Sequence, residues 1–155
     1  MNEVKYVRDK RSPKPKNKSV SKVMSANKAQ GTKPEIMLRE RLWHNGYRGY
    51  RCNLNQVSGR PDIAFTKSKL AIFLNGCFWH RCPYCKLPLP KNNQEFWKNK
   101  FEKNQLRDRK KATLLKNEGW SVVTLWECKL KANSSYGLKQ IERILKPSRK
   151  YTSQE

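Results

Sequence analysis

Acidic residues are scarce in this chain. Twelve Asp and Glu stand against 35 Lys and Arg, and only three of the twelve are aspartates: Asp9, Asp62 and Asp108. The resulting formal charge of +23, with an isoelectric point near 10.2, suits a polyanionic partner and excludes a basic one. Long apolar runs are missing too. No stretch approaches the roughly 18 apolar residues of a membrane span, and the basic N-terminus has no apolar signal core, so no membrane association and a cytoplasmic location are expected. Hydrophobic residues reach only 36%, yet aromatics make up 10% and five are Trp, which excludes a wholly disordered basic tail. A length of 155 residues leaves room for one ordinary domain.

Residues 1–31 hold nine Lys or Arg, two acids and two Pro, with almost no apolar periodicity. They are expected to form a basic, mostly flexible arm; the short piece from Ser21 to Ser25 could become helical against a nucleic-acid groove. The ordered domain is expected over residues 32–147, with a frayed tail at 148–155. At its start, Thr32 and Glu35 spell a capping box with Pro34 in the first turn. Leu38, Leu42 and Trp43 follow at helical spacing and Gly46 supplies the stop. Residues 47–52 alternate loosely and suit an edge strand. Residues 62–66 and 70–75 are two β-rich runs joined by Lys67, Ser68 and Lys69, which predicts an antiparallel hairpin. A long helix is predicted over 93–118, with Phe96, Trp97, Phe101, Leu106, Leu114 and Leu115 as its apolar positions, then a buried strand over 120–126 and an amphipathic helix over 137–145. The order α-β-β-β-α-β-α implies an α/β fold, a mixed sheet flanked by helices, because a strand that returns after a crossover helix usually lies parallel to a neighbour.

Against the scarcity of acids, Asp62 stands out. Gly59, Arg60 and Pro61 deliver its carboxylate to the start of an apolar strand, at a sheet end where Mg²⁺ could sit, and a nuclease needs such an oxygen ligand. An Asp that only stabilises the turn explains the same residue equally well. Directly after the hairpin come Cys77, Cys82 and Cys85, spaced x4 and x2, and Cys128 follows the last predicted strand. Four thiolates are what a closed, structural Zn²⁺ site requires, and five Cys in a reducing compartment point to metal before disulfides. His80 lies inside the Cys loop; it could replace one Cys as a ligand, support the thiolates, or act as a general base. Phe78, Trp79 and Trp97 sit among basic residues, where aromatic rings can wedge between base steps or pack a small core. Asp108 could pair with Arg107 and Arg109 or orient a catalytic His. Glu35 is accounted for by the capping box. His44 reads as a surface residue and Cys52 as a spare thiol. The residues by themselves reach a basic, zinc-containing nucleic-acid-binding domain with a metal-dependent nuclease site as one reading. A non-catalytic zinc-stabilised binding module is the other.

The run Gly59-Arg60-Pro61-Asp62, then Gly76-Cys77-Phe78-Trp79-His80, then Glu95-Phe96-Trp97, Asn104 with Arg107-Asp108, and Trp126-Glu127-Cys128 resembles the very short patch repair (Vsr) DNA mismatch endonucleases over about residues 21–130. The resemblance implies a restriction-endonuclease-like fold that nicks one strand of double-stranded DNA 5′ of the T in a T:G mismatch, the product of 5-methylcytosine deamination. It implies that Asp62 bridges two Mg²⁺ ions, with the backbone carbonyl of Leu74 as a further ligand, and that His80 is the general base. Glu35 and Asp108 would orient metal waters and the imidazole. Phe78, Trp79 and Trp97 would enter the base stack, and one Zn²⁺ on Cys77, Cys82, Cys85 and Cys128 would hold the loop rigid. A monomer is expected, since nicking one strand needs one catalytic centre. Two departures stand out: Asn75 occupies a place where the family often has His or Asp, and Cys82 stands where the best-known member has a His. A restriction-type nuclease of the same fold that cuts unmismatched DNA is a further alternative.

Overall fold

The computed structural model describes residues 14–26, 30–133 and 135–145. Nine elements run in order among them: α1 Lys18–Ser25, α2 Lys33–His44, β1 Arg51–Cys52, β2 Ile63–Phe65, β3 Leu70–Asn75, α3 Gln94–Asn117, β4 Ser121–Trp126, α4 Glu127–Ala132 and α5 Leu138–Leu145. The strands form one sheet in the order β1-β2-β3-β4. β1 and β3 both run antiparallel to β2, with Cys52 opposite Ile63 and Ile63 opposite Ile72. β4 returns after the α3 crossover to lie parallel to β3, from Leu70 opposite Ser121 to Asn75 opposite Trp126. The expected mixed sheet flanked by helices is therefore present.

Alternation along the strands sorts the core into two layers. Ile63, Phe65, Leu70, Ile72, Val123 and Leu125 point to one face, where Leu38 and Leu42 of α2, Leu130 of α4 and Ile141 of α5 close over them. Ala64 and Ala71 point to the other, and these small residues let α3 come close enough to bury Leu115 against the sheet. The strands β2 and β3 are thus covered on both faces, which is why they read as continuous apolar runs. At the turn into α5, Gly137 has φ +81°, and a Cβ there would lie 2.6 Å from Leu125 Cδ2, so only glycine fits against the buried strand.

Several sequence expectations are corrected. β4 is half-buried, with Ser121 and Thr124 exposed, because it forms an edge of the sheet. β1 is only two residues long and both are exposed. Leu106 and Leu114 face solvent on α3, whose inward face carries Trp97, Phe101, Asn104 and Leu115 instead. Trp43 is also exposed, since the buried stripe of α2 is Leu38 and Leu42; the Arg48 guanidinium stacks 3.5 Å from the Trp43 ring centroid. His44 and Cys52 are exposed, as expected. Helix α4 was not foreseen: it starts directly after β4, on Trp126, which makes no side-chain cap bond that a sequence could advertise. Helix α1 lies within the expected arm. Asn17 starts it, its Oδ1 accepting from the Val20 N–H at 2.9 Å. Residues 1–13 of the arm and the tail at 148–155 lie outside the described residues. Among the described residues, no helix is long and apolar enough to cross a membrane.

Candidate active site

The register of the hairpin places Asp62. β2 begins at Ile63, so the Leu74 N–H lies beyond the strand's end, and Asp62 Oδ2 accepts from it at 2.7 Å. The turn-stabilising function and a position at the sheet end thus coexist in one side chain. Asp62 opens onto a cleft of about 610 Å³ that also receives Glu35, Asn75, His80, Asp108 and Glu127. Burial pushes the Asp62 carboxyl above the usual range; the Leu74 N–H opposes this, the nearby Glu35 charge adds to it, and Lys111 and His80 pull the other way. An ionised carboxylate disfavoured by burial and by a like charge is a place where a cation is welcome. Asp62, Glu35 and Glu127 line the same cleft and offer oxygen donors, the donor type a hard divalent ion takes, but among the described residues only the four Cys converge closely enough to form a ready metal-ligand group.

Glu35 lies at the cleft wall through the cap of α2. Its Oε1 accepts from the Thr32 hydroxyl at 2.8 Å and its Oε2 from the Gly31 N–H at 2.9 Å, while Thr32 Oγ1 accepts from the Glu35 N–H at 3.4 Å. Thr32 thus caps the helix as expected, while Glu35 reaches back to the Thr32 hydroxyl and the Gly31 N–H, one residue before the cap's own N–H, and the charge of this same carboxylate reaches Asp62.

His80 reaches the cleft from the Cys loop, knitted by bonds from the His80 N–H to Gly76 O and from the Cys82 N–H to Cys77 O. Its Nδ1 meets Asp108 Oδ2 at 2.5 Å, with 28% of each side chain exposed. An ionised carboxylate only accepts, so Nδ1 carries the hydrogen, and in the neutral ring Nε2 then keeps its lone pair. Asp108 thus serves the imidazole and does not pair with Arg107 or Arg109. One turn earlier, the Asn104 amide donates to the Trp79 carbonyl at 2.9 Å and ties the Cys loop to α3. Asn75 is buried at the end of β3.

Cys77, Cys82, Cys85 and Cys128 converge from the loop and the start of α4, with all four sulfurs within 4.8 Å of one another and Cys82 Sγ 3.7 Å from Cys128 Sγ. Tetrahedral Zn–S bonds of about 2.3 Å require sulfur edges of about 3.8 Å, so the four thiols fit Zn²⁺. Burial pushes the Cys77 thiol up, with contacts to the other three thiols adding to the rise. Although burial also raises Cys82, the N–H donors of Cys85 and Tyr84 together with the thiols of Cys128 and Cys77 hold that thiol low. His80 does not belong to the four-sulfur cluster.

The aromatic residues pack beside this loop. Phe78 lies 5.1 Å from Trp79, 5.3 Å from Trp97 and 5.2 Å from Phe101, centroid to centroid. Trp97 is buried and stacks on Phe101, whereas Phe78 and Trp79 are part-exposed. Phe78, Trp79 and Trp97 wall an apolar trough of about 520 Å³ whose other side is Val20, Val23 and Met24 of α1. Trp79 lines both this trough and the cleft of Asp62.

Three further residues belong to the site: Asn104 and Glu127, which the sequence motifs contain without a role assigned to them, and Lys111, which they do not contain. The signal for Asn104 and Lys111 is a seam on α3, where Trp97, Phe101, Asn104, Asp108, Lys111 and Leu115 follow one another at alternating steps of four and three. Polar residues in such a stripe face the interior. Glu127 is bonded by Lys131 at 2.7 Å, and its Oε2 would lie 3.5 Å from a Cβ added at Gly76.

Known proteins resemble this chain in sequence. The family described as DNA mismatch endonuclease Vsr matches residues 14–86. The type II nicking enzyme V.NmeAIP of Neisseria meningitidis is 38% identical over 124 residues, covering 80% of this chain and 87% of that protein. The type II nicking enzyme V.NaeI of Lentzea aerocolonigenes is 42% identical over 120 residues, 74% of this chain and 71% of its own length. The DNA mismatch endonuclease Vsr of Escherichia coli is 35% identical over 111 residues, covering 72% and 70% of the two chains. The family match and identity at this level across most of both lengths show that the chain belongs to the Vsr family of DNA endonucleases.

Proposed function

We propose that this protein is a Mg²⁺-dependent mismatch endonuclease that nicks one strand of duplex DNA 5′ of the T in a T:G pair, as a monomer in the cytoplasm. The observation that carries the reading is the shared wall. Because Trp79 borders both the apolar trough and the cleft of Asp62 and His80, an aromatic wedge and a hydrolytic site would meet neighbouring parts of one strand. A T:G step costs less to unstack than a paired one, so insertion of Phe78 and Trp79, backed by buried Trp97, converts weakened stacking into selectivity. The excess of Lys and Arg supplies phosphate contacts, which position the duplex without reading it.

For the chemistry, Asp62 would hold the divalent metal, with Glu35 and the Leu74 backbone beside it. The metal, when bound, neutralises charge on the phosphate and makes water a stronger nucleophile. His80, with Nδ1 fixed by Asp108, presents Nε2 to take the proton of the attacking water. Asn104 holds the Trp79 carbonyl and so keeps wedge and base in one frame. Zn²⁺ on Cys77, Cys82, Cys85 and Cys128 would fix the loop that carries both. Among relatives, the E. coli protein's description as a mismatch endonuclease supports the substrate and the nicking-enzyme descriptions support single-strand cleavage.

The test is incubation of zinc-loaded protein with end-labelled duplexes bearing one T:G mismatch, in Mg²⁺ or EDTA, beside matched duplexes. A Mg²⁺-dependent nick 5′ of the mismatched T is expected. Equal cleavage of matched DNA would replace this reading with a restriction-type nuclease, and binding without turnover would replace it with a non-catalytic zinc module.

A further inference from the structure

Four cationic side chains border the cleft of Asp62: Lys33, Arg60, Lys111 and Lys131. Lys33 and Arg60 are exposed, and Lys131 is bonded to Glu127 at 2.7 Å. Lys111 differs from all three. It is part-buried and, among the described residues, has no carboxylate within 4.0 Å.

The Lys111 stem is held on two sides. Gly59 has φ +74°, and a Cβ added there would lie 2.9 Å from Lys111 Cβ and 3.1 Å from Lys111 Cγ, so the lysine stem lies flat against the bare glycine. The ammonium sits 5.8 Å from the centroid of the Phe73 ring, itself part of the cleft wall. Gly59 belongs to the turn that delivers Asp62, so one turn seats both the carboxylate and the lysine. On α3, Lys111 follows Asp108 by three residues and lies on the same inward seam.

We propose that Lys111 is the phosphate-holding cation of the cleft, contacting the non-bridging oxygens of the phosphodiester to be cut, and this rests on the nuclease reading above. A pre-seated ammonium with no carboxylate partner among the described residues loses little rotamer freedom when a phosphate arrives. It also answers the charge that develops on the phosphate during attack. Its charge acts on Asp62 as well, which agrees with a position inside the site and not at its rim.

Lys111→Met keeps the stem against Gly59 and removes only the charge; Lys111→Gln keeps a shorter polar stem and guards against a folding defect in the first. Two readouts are needed. Single-turnover nicking of a T:G duplex in Mg²⁺ should fall roughly 10²-fold in both variants, with Lys111→Arg recovering part of the loss. In EDTA, the slope of log affinity against log salt should become shallower by about 1, the signature of one lost phosphate contact. Nicking within about threefold of wild type, or an unchanged salt slope, would overturn the proposal. If wild-type protein nicks no duplex, the nuclease reading falls by itself, and the salt slope still decides whether Lys111 meets a phosphate.

Discussion

Replacing Asp108 with Asn is the most discriminating perturbation of the proposed chemistry, because it alters one charge and almost no volume. In the folded protein His80 Nδ1 and Asp108 Oδ2 are 2.5 Å apart, and each side chain is 28% exposed. When Nε2 takes a proton from water, the imidazolium gains a carboxylate neighbour that the neutral ring did not need. Unit charges about 4 Å apart attract by about 1 kcal/mol in bulk water and about 4 kcal/mol at an effective dielectric of 20. A pair less than one-third exposed lies between these limits, so about 2–3 kcal/mol of transition-state stabilisation should be lost. That is roughly 30- to 160-fold in rate. Asn can also turn its amide donor toward Nδ1, which moves the ring hydrogen to Nε2 and removes the base from a fraction of molecules. The assay is single-turnover nicking, with duplex affinity measured alongside; the rate should fall and the affinity should stay the same. In a His80→Ala background, Asp108→Asn should cost nothing further, since its effect passes through the ring. A rate within threefold of wild type, or the same loss without His80, would refute the argument.

Zinc removal should act on the loop before it acts on the sheet. Dialysis against a strong chelator, or Cys128→Ala, should release one zinc per chain by elemental analysis and abolish nicking, because His80, Phe78 and Trp79 are carried by the Cys loop; full activity in zinc-free protein would contradict this. For Asp62 the sign follows from its raised folded pKa. The folded state binds the Asp62 proton more tightly than the unfolded chain does, so ionisation costs stability as pH rises from the ordinary carboxyl range through the higher folded value. Asp62→Asn in EDTA should therefore melt higher than wild type at neutral pH and lose that advantage below about pH 4, the unperturbed carboxyl value, while nicking nothing at any pH. An unchanged or lower melting temperature at pH 7 would show that burial does not strain this carboxylate.

Local signals were legible where one residue type settled a conformation. The hairpin followed from two β-rich runs with a short polar turn, and α2 from Thr32 and Glu35, whose cap bonds are present. Asp62 was conspicuous through scarcity, and the four Cys through spacing, although Cys128 comes from a different element 43 residues beyond Cys85. Other features depended on tertiary context. Helix α4 begins without a capping side chain, and α1 is lysine-rich enough to read as a solvated tail even though Asn17 caps it. Leu106 and Leu114 are apolar but out of phase with the buried stripe of α3, so apolar character alone points to the wrong face. The true inward face of α3 includes Asn104, Asp108 and Lys111, which an apolar tally skips. A stripe at steps of four and three, with its polar members kept, would have shown both the core and the site.

The balance of charge explains how a protein this basic confines hydrolysis to one place. Along the whole chain acids are outnumbered about three to one, 12 against 35, so phosphate is attracted almost everywhere. Around the cleft the count is even, Glu35, Asp62, Asp108 and Glu127 against Lys33, Arg60, Lys111 and Lys131. One of those lysines is already spent on Glu127, and two of the cations lie exposed at the edge. The centre of the cleft is thus an unfavourable place for a phosphate on its own, since ionised Asp62 and Glu35 repel it. A strand held elsewhere by lysines and arginines has no electrostatic reason to settle there unless something offsets those carboxylates. Lys111 offers one positive charge and a divalent ion on Asp62 would offer two more. If the aromatic trough selects a weak base step, as proposed, that selectivity would have a partner in the cleft, because unstacking there would let the backbone bend toward a position it otherwise avoids.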